Sequence, residues 1–328
     1  MGDEPQNNVT EPSEVVFSAQ QAESAVRLAA LPNIYEKTYY DGKDRGEAME
    51  SVRQALPENI AGINVINIDN TTAIMAYNPD DNRVTIAFDP THTGGDRWDN
   101  FRRGHMDHAL GGEVHKGLYQ DIIEEQNAEN FPGDNMTDVI GAVLHDYASR
   151  NPDTPLSVDF AGFSSGGAQT AFAAGQMIAE GFFEDNPNIK LDNIYTFGSP
   201  AYGDQEFTDT LENAASELGA DTWMIQVHGD NMPSVLSPDG SNMFTKFDYG
   251  HAGDHIYIVN NNNGLPPNIL INPSKETLEN LPAADQSSKE THTMDTYINT
   301  MESLNQSTES PAPSGQEQHI SHINIAPK

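Results

Sequence analysis

The stretch Asp159 to Phe172, DFAGFSSGGAQTAF, has the spacing G-x-S-x-G at Gly162, Ser164 and Gly166. It joins an apolar run, LSVDFA, to a segment of helical character, GGAQTAFAAGQMIAEG. A strand that passes straight into a helix here needs a very sharp turn, and the residue at its apex must take a strained backbone. The positions two before and two after the apex must be nearly free of side chain for strand and helix to approach. Only Ser164 meets both conditions, because in the frame of Ser165 the first small position falls on Phe163. Ser164 is therefore the expected nucleophile. Ser165 is the expected donor of a backbone N–H to an oxyanion, helped by the positive end of the helix that begins there. A Gly/Ser turn between any strand and any helix can share the five-residue pattern, and it is the flanking strand and helix that favour the reactive reading.

A serine hydroxyl is a poor nucleophile alone, so a base and an orienting acid must follow, in the order Ser, Asp, His. The segment TWMIQVHGDNMPSVL reads as a strand with Asp230 on the loop after it. A turn-capping aspartate is the alternative reading of Asp230, and Asp221 at the start of the same strand is a second candidate acid. His292, in KETHTMDTYINTM, is placed at the entry of a short helix and is the expected base. His251 and His255 also follow Asp230 and read equally well as structural histidines. Their i, i+4 spacing lacks a third ligand at definite distance, so no metal is expected, and nothing in the sequence asks for a cofactor.

Strands and helices extend on both sides of the bend. SAQQAESAVRLAA reads as a helix capped by Ser18, followed by the strands INVINI, TTAIMAYN and RVTIAFD between Asx-rich turns, an antiparallel entry into a sheet. Then helices alternate with strands: HKGLYQDIIEEQNAE and MTDVIGAVLHDYASR are helical, and NIYTFG and TWMIQVH are strands. The expected class is α/β, a mostly parallel central sheet with helices on both faces and an antiparallel N-terminal edge. One domain is expected over 17–303, between a flexible acidic N-terminus at 1–16 and a polar C-terminal tail at 304–328. Pro282 to Ser288 reads as a loop.

The chain has 328 residues with 50 Asp and Glu against 16 Lys and Arg, a formal charge of -34. Such a field repels nucleic acid and anionic lipid surfaces, so polynucleotide partners are not expected. No run approaches the roughly 18 apolar residues of a membrane span. The first residues, MGDEPQNNVTEPSE, lack the basic and apolar regions of a signal peptide, while the acidic surface and polar tail suit a secreted protein. With no cysteine there is no disulfide and no thiolate chemistry. A chain this acidic repels itself at low ionic strength, so its Tm should rise from low to molar NaCl. A flat or falling curve would remove salt adaptation as an explanation of the composition.

The segments around these residues resemble the class 3 lipases of the fungal triacylglycerol lipase type, within the α/β-hydrolase superfamily. GFSSGGAQ stands where that family usually has Gly-His-Ser-Leu-Gly-Gly-Ala, and YTFGSPAYGD is similar to its Tyr-Thr-Phe-Gly-x-Pro-x-Val-Gly element. VTIAFDPT, RWDNF, VHKGLYQ, HGDNMP, HAGDHIYIV and HTMDTY resemble further family segments in the family's order, from about Arg83 to Tyr297. The resemblance implies the α/β-hydrolase fold and hydrolysis of a lipid or small ester. It implies Ser164 as nucleophile, Asp230 as acid, His292 as base, and an oxyanion hole from Thr91 and Ser165. Gly162, Gly166 and His251 take structural places near the site, and no cofactor is implied. A phospholipase or acyltransferase acting as a secreted effector is a second expectation, and an inactive hydrolase fold that only binds is a third.

The chain departs from the pattern where the family has Arg-Gly before its oxyanion residue, since Asp89 and Pro90 precede Thr91. Thr91 keeps its amide, but an inward carboxylate at Asp89 would oppose developing negative charge, so Asp89 should face away or pair with Arg97, Arg102 or Arg103. His92 to Glu113 falls at the family's lid. It is polar, with Trp98, Phe101, Met106 and Leu110 as its apolar points, which argues for small or dispersed esters. His105 and His108 read as solvated loop residues, and the Asx-rich NPDDN at 78–82 as a turn rather than a calcium site.

Overall fold

A computed structural model of the chain describes residues 15–68, 71–90, 104–123, 127–128, 131–132, 135–234, 249–260, 266–284, 286–309 and 324–325. Its main sheet has eight strands: β1 (Gly62–Ile68), β2 (Thr71–Asn78), β3 (Arg83–Phe88), β4 (Leu156–Phe163), β5 (Ile189–Phe197), β6 (Asp221–Val227), β7 (Asp254–Val259) and β8 (Asn268–Ile271). They lie side by side in chain order. β1 to β3 run antiparallel to one another, β3 to β7 are parallel, and β8 turns back antiparallel on the far edge. The antiparallel N-terminal edge is the expected one, whereas β7 and β8 were not foreseen. β4 is buried along nearly its whole length, as a central parallel strand covered on both faces must be.

Helices cover the two faces. They are α1 (Ala19–Ala29), α2 (Leu31–Tyr40), α3 (Arg45–Ala55), α4 (Lys116–Ile123), α5 (Met136–Arg150), α6 (Ser165–Ala179), α7 (Gln205–Glu217) and α8 (Met294–Glu309). Side chains of α4 to α7 share one apolar core with Phe160 of β4, and those of α1 and α8 share another with Ala161 and Phe163. Alternate residues of one strand thus feed opposite cores. The N-caps are legible in sequence: the Ser18 hydroxyl accepts from the Gln21 N–H at 3.3 Å, and Asn135 and Asp138 form a capping box.

Two expectations give way here. The helix after His292 is not short: α8 has 16 residues and runs past 303, because buried Tyr297, Met301 and Leu304 carry its apolar face onward. His108 is not a solvated loop residue. Its ring is buried, stacks on Tyr119 at 4.4 Å and lies 4.6 Å from Phe207. The Leu110 N–H donates to His108 Nδ1 at 2.9 Å, and Nε2–H faces the Phe172 carbonyl at 3.3 Å, so the ring is held neutral. His105 does pair at the surface, with Glu113 at 2.9 Å. In the NPDDN turn the Asp80 N–H donates to Asn78 Oδ1 at 3.0 Å, an Asx turn.

Burial lowers the His108 pKa from 6.5 to about 4. Between those values the unfolded chain binds a proton that the folded chain refuses. The stability from keeping His108 neutral is therefore full above about 6.5 and is lost as pH falls towards 4. Two and a half pH units correspond to about 3 kcal/mol. His108→Asn keeps an acceptor for the Leu110 N–H and cannot titrate, so its Tm should fall less steeply than that of the unaltered protein from pH 6.5 to 4. Parallel curves would mean that other groups control the acid limb.

Candidate active site

The turn between β4 and α6 closes because of its glycines. A Cβ on Gly162 would lie 2.2 Å from the Gly166 carbonyl oxygen and 2.4 Å from Thr170 Oγ1. A Cβ on Gly166 would lie 2.4 Å from the Phe88 carbonyl oxygen at the end of β3. Ser164 sits at the apex with φ 56 and ψ -129, outside the ordinary regions for a residue with a side chain. Such a conformation costs on the order of 1–3 kcal/mol and persists because its surroundings impose it. The Ser164 N–H donates to the Phe197 carbonyl at 2.9 Å, and its carbonyl accepts from the Gly167 N–H at 3.0 Å. Gly162→Ala is expected to destabilise by about 3 kcal/mol or more, read as a lower urea midpoint. An unchanged midpoint would show that the bend yields easily.

The three side chains singled out by sequence meet at this apex. His292 Nε2 is 2.9 Å from Ser164 Oγ, and His292 Nδ1 is 2.9 Å from Asp230 Oδ2. With Nδ1–H donating to the carboxylate, Nε2 is left to accept the serine proton. Asp230 is buried on the loop after β6, where the Met232 N–H donates to its Oδ1 at 2.8 Å. The other candidate acid, Asp221, opens β6 at the opposite end of the strand, with its pKa raised by burial and by Asp254 and Asp192.

Further residues complete the constellation. The Tyr297 hydroxyl donates to Asp230 Oδ2 at 2.6 Å, the oxygen that also faces His292. Burial, and then the neighbouring carboxylate, push the Tyr297 pKa well above its ordinary value, so it remains a donor. Phe163 stacks on the His292 ring at 4.8 Å and 25°, and meets Tyr297 edge-on at 5.3 Å. Gly198 has φ +53, and a Cβ there would lie 2.7 Å from Tyr297 Oη and 2.8 Å from Asp230 Oδ2. Sequence reasoning gave none of these three a role in the site. The glycine in YTFGSP and the tyrosine five residues after His292 were the available signals.

The remaining candidates fall around this centre. His251 Nε2 is 2.9 Å from the Ser199 carbonyl, and burial lowers its pKa to about 4. His255 Nε2 is 3.0 Å from Gln226 Oε1, and Gln226 in turn donates to the Asp230 carbonyl at 2.8 Å. Among the described residues no cluster of three His, Asp or Glu is placed to hold a metal. Ser165 is buried in the first turn of α6, at the positive end of the helix dipole. Asp89 is buried at the end of β3, and its N–H donates to the Thr72 carbonyl at 3.0 Å. Thr91, Trp98, Phe101 and the three arginines at 97, 102 and 103 lie outside the described residues. A cleft of about 460 Å³ opens over the apex. It is lined by Asn33, Ile34 and Lys37 of α2, Pro90, Phe163, Ser164, His292, Thr293, Met294 and Asp295.

Residues 85–239, which include Ser164 and Asp230, match the family model Lipase (class 3). Over this segment, just under half of the chain, the sequence is similar to class 3 lipases. That similarity supports a carboxylic ester hydrolase. His292 and the α2 wall of the cleft lie beyond the matched segment. Among solved structures, a fungal lipase–inhibitor complex aligns with TM-score 0.55 and 16% identity, covering 88% of this chain and 98% of that one. A triacylglycerol lipase from Penicillium expansum aligns with TM-score 0.52 and 12% identity over 88% of this chain and 99% of that one. MDLA from Penicillium cyclopium, in a mutant form, aligns with TM-score 0.52 and 16% identity over 83% and 89%. At such identities the likeness is one of fold, and the fold is that of the α/β-hydrolases. No curated protein matches the chain in sequence. Among the described residues no helix is long and apolar enough to cross a membrane.

Proposed function

We propose that the protein is a serine ester hydrolase that cleaves acyl esters through Ser164, His292 and Asp230. The observation that carries this is a single imidazole placed 2.9 Å from a strained serine hydroxyl and 2.9 Å from a buried carboxylate. His292 takes the Ser164 proton as Oγ adds to the ester carbonyl. Collapse of the tetrahedral adduct breaks the bond to the alcohol oxygen, which receives that proton from His292 and leaves. Water then gives a proton to the same Nε2, attacks the acyl-serine, and releases the carboxylic acid with the hydroxyl restored. Asp230 holds the tautomer and stabilises the imidazolium, and Tyr297 and Gly198 fix the carboxylate. The backbone amides of Ser165 and Thr91 are the proposed oxyanion donors, a role supported by the contact between Gly166 and the end of β3, the strand that leads to Thr91.

The test is hydrolysis of p-nitrophenyl esters of graded chain length, together with labelling by a fluorophosphonate and mapping of the labelled residue. Turnover with phosphonate on Ser164 supports the reading. Neither turnover nor labelling would leave an inactive fold that only binds. A preference for short chains would make it an esterase rather than a lipase.

A further inference from the structure

Part of the cleft lining comes from α2, which precedes the lipase-matched segment. Its rotation is fixed from behind. Leu31 and Tyr35 are buried in a core with Ile74 of β2, and the Thr72 hydroxyl donates to buried Glu36 at 2.6 Å. The face left for the cleft bears Asn33, Ile34 and Lys37, with Asn33 and Lys37 one turn apart. The first turn of α8 adds Asp295 to the same lining as His292. The cleft therefore has one ammonium and one carboxylate among its described lining residues, on different helices. Lys37 is one of only 16 basic residues in a chain of charge -34.

We infer that this cleft recognises a zwitterionic head group, an anionic phosphodiester at Lys37 and Asn33 and an ammonium at Asp295, so that the ester cleaved is an acyl ester of a zwitterionic phospholipid. Two independent facts converge on this class. Opposite charges from two different helices complement a ligand with both signs, whereas an anionic ligand would meet Asp295 and a cationic one Lys37. The field of the whole molecule also repels a net anion during approach, but leaves a net-neutral zwitterion unhindered. The bond broken is the same acyl–oxygen bond as in the proposed reaction, with the lysophospholipid as the protonated leaving alcohol, and this inference rests on that reading.

The experiment compares the full-length protein on three soluble substrates: p-nitrophenyl butyrate, dihexanoyl-phosphatidylcholine and dihexanoyl-phosphatidylglycerol. The unaltered protein should release hexanoate from the choline lipid faster than from the glycerol lipid. Lys37→Glu should lower the ratio of choline-lipid to p-nitrophenyl butyrate turnover by about fivefold or more, while Lys37→Arg should keep it. Asp295→Asn should shift preference toward the anionic lipid. Ratios that move less than twofold in Lys37→Glu and Asp295→Asn, or a wild type active on the butyrate and inert on the choline lipid, would overturn the inference while leaving the hydrolase standing. Inactivity on all three would instead remove the reading beneath it.

Discussion

Ser164→Ala should lower kcat by about 10³-fold or more while leaving substrate binding largely intact. The substitution removes the oxygen that His292 Nε2 faces at 2.9 Å and leaves the glycines of the bend untouched. Alanine also relieves nothing that holds the fold together, because the turn is closed by backbone hydrogen bonds from Ser164 N–H to Phe197 and from Gly167 N–H to Ser164. The protein should accordingly fold, keep its Tm within a few degrees and lose fluorophosphonate labelling altogether. Unchanged turnover of p-nitrophenyl butyrate would mean that a different residue is attacked by substrate.

Asp230→Asn should also be severe, about 10⁴-fold in kcat by the logic of a reversed tautomer. An amide at this place can present N–H toward His292 Nδ1, which leaves the proton on Nε2 and spoils its capacity to accept from Ser164. The Met232 N–H biases the outcome further. It donates to Oδ1, so an asparagine that keeps its oxygen there turns its NH2 toward His292 and takes away the acceptor of the Tyr297 hydroxyl. Fluorophosphonate labelling at pH 7 should slow in parallel with ester turnover. Full activity in this variant would show that the carboxylate only fills space, and Asp221, at the far end of β6, could not take its place.

The bend and its serine were legible because their requirement is local: two glycines at fixed spacing around Ser164, a strand before and a helix after. Asp230 and His292 could be ranked by chain order and loop position, but their choice over Asp221, His251 and His255 needed either the family resemblance or the coordinates. The parts of the site that escaped are those whose role exists only in three dimensions. Phe163 has no marked chemistry until a ring stacks on it, and Gly198 is one of many glycines until its missing Cβ is seen to make room for Tyr297 and Asp230. Likewise α2 is an ordinary amphipathic helix in sequence, and its place at the cleft follows from burial of Leu31, Tyr35 and Glu36 behind it. β8 escaped for another reason, since four residues between Asn and Pro carry too little periodicity to reveal a strand.

The sheet that adds each strand beside its predecessor also sets an order of assembly. As the polypeptide leaves the ribosome, each strand finds its neighbour already made, and the alcohol of residue 164 is on its bend long before position 292 has been synthesised. A separation of 128 positions divides the serine from its proposed base. On the proposed reading, a nascent or truncated product that stops short of residue 292 has its serine on the bend but no base beside it, and cannot cut an ester.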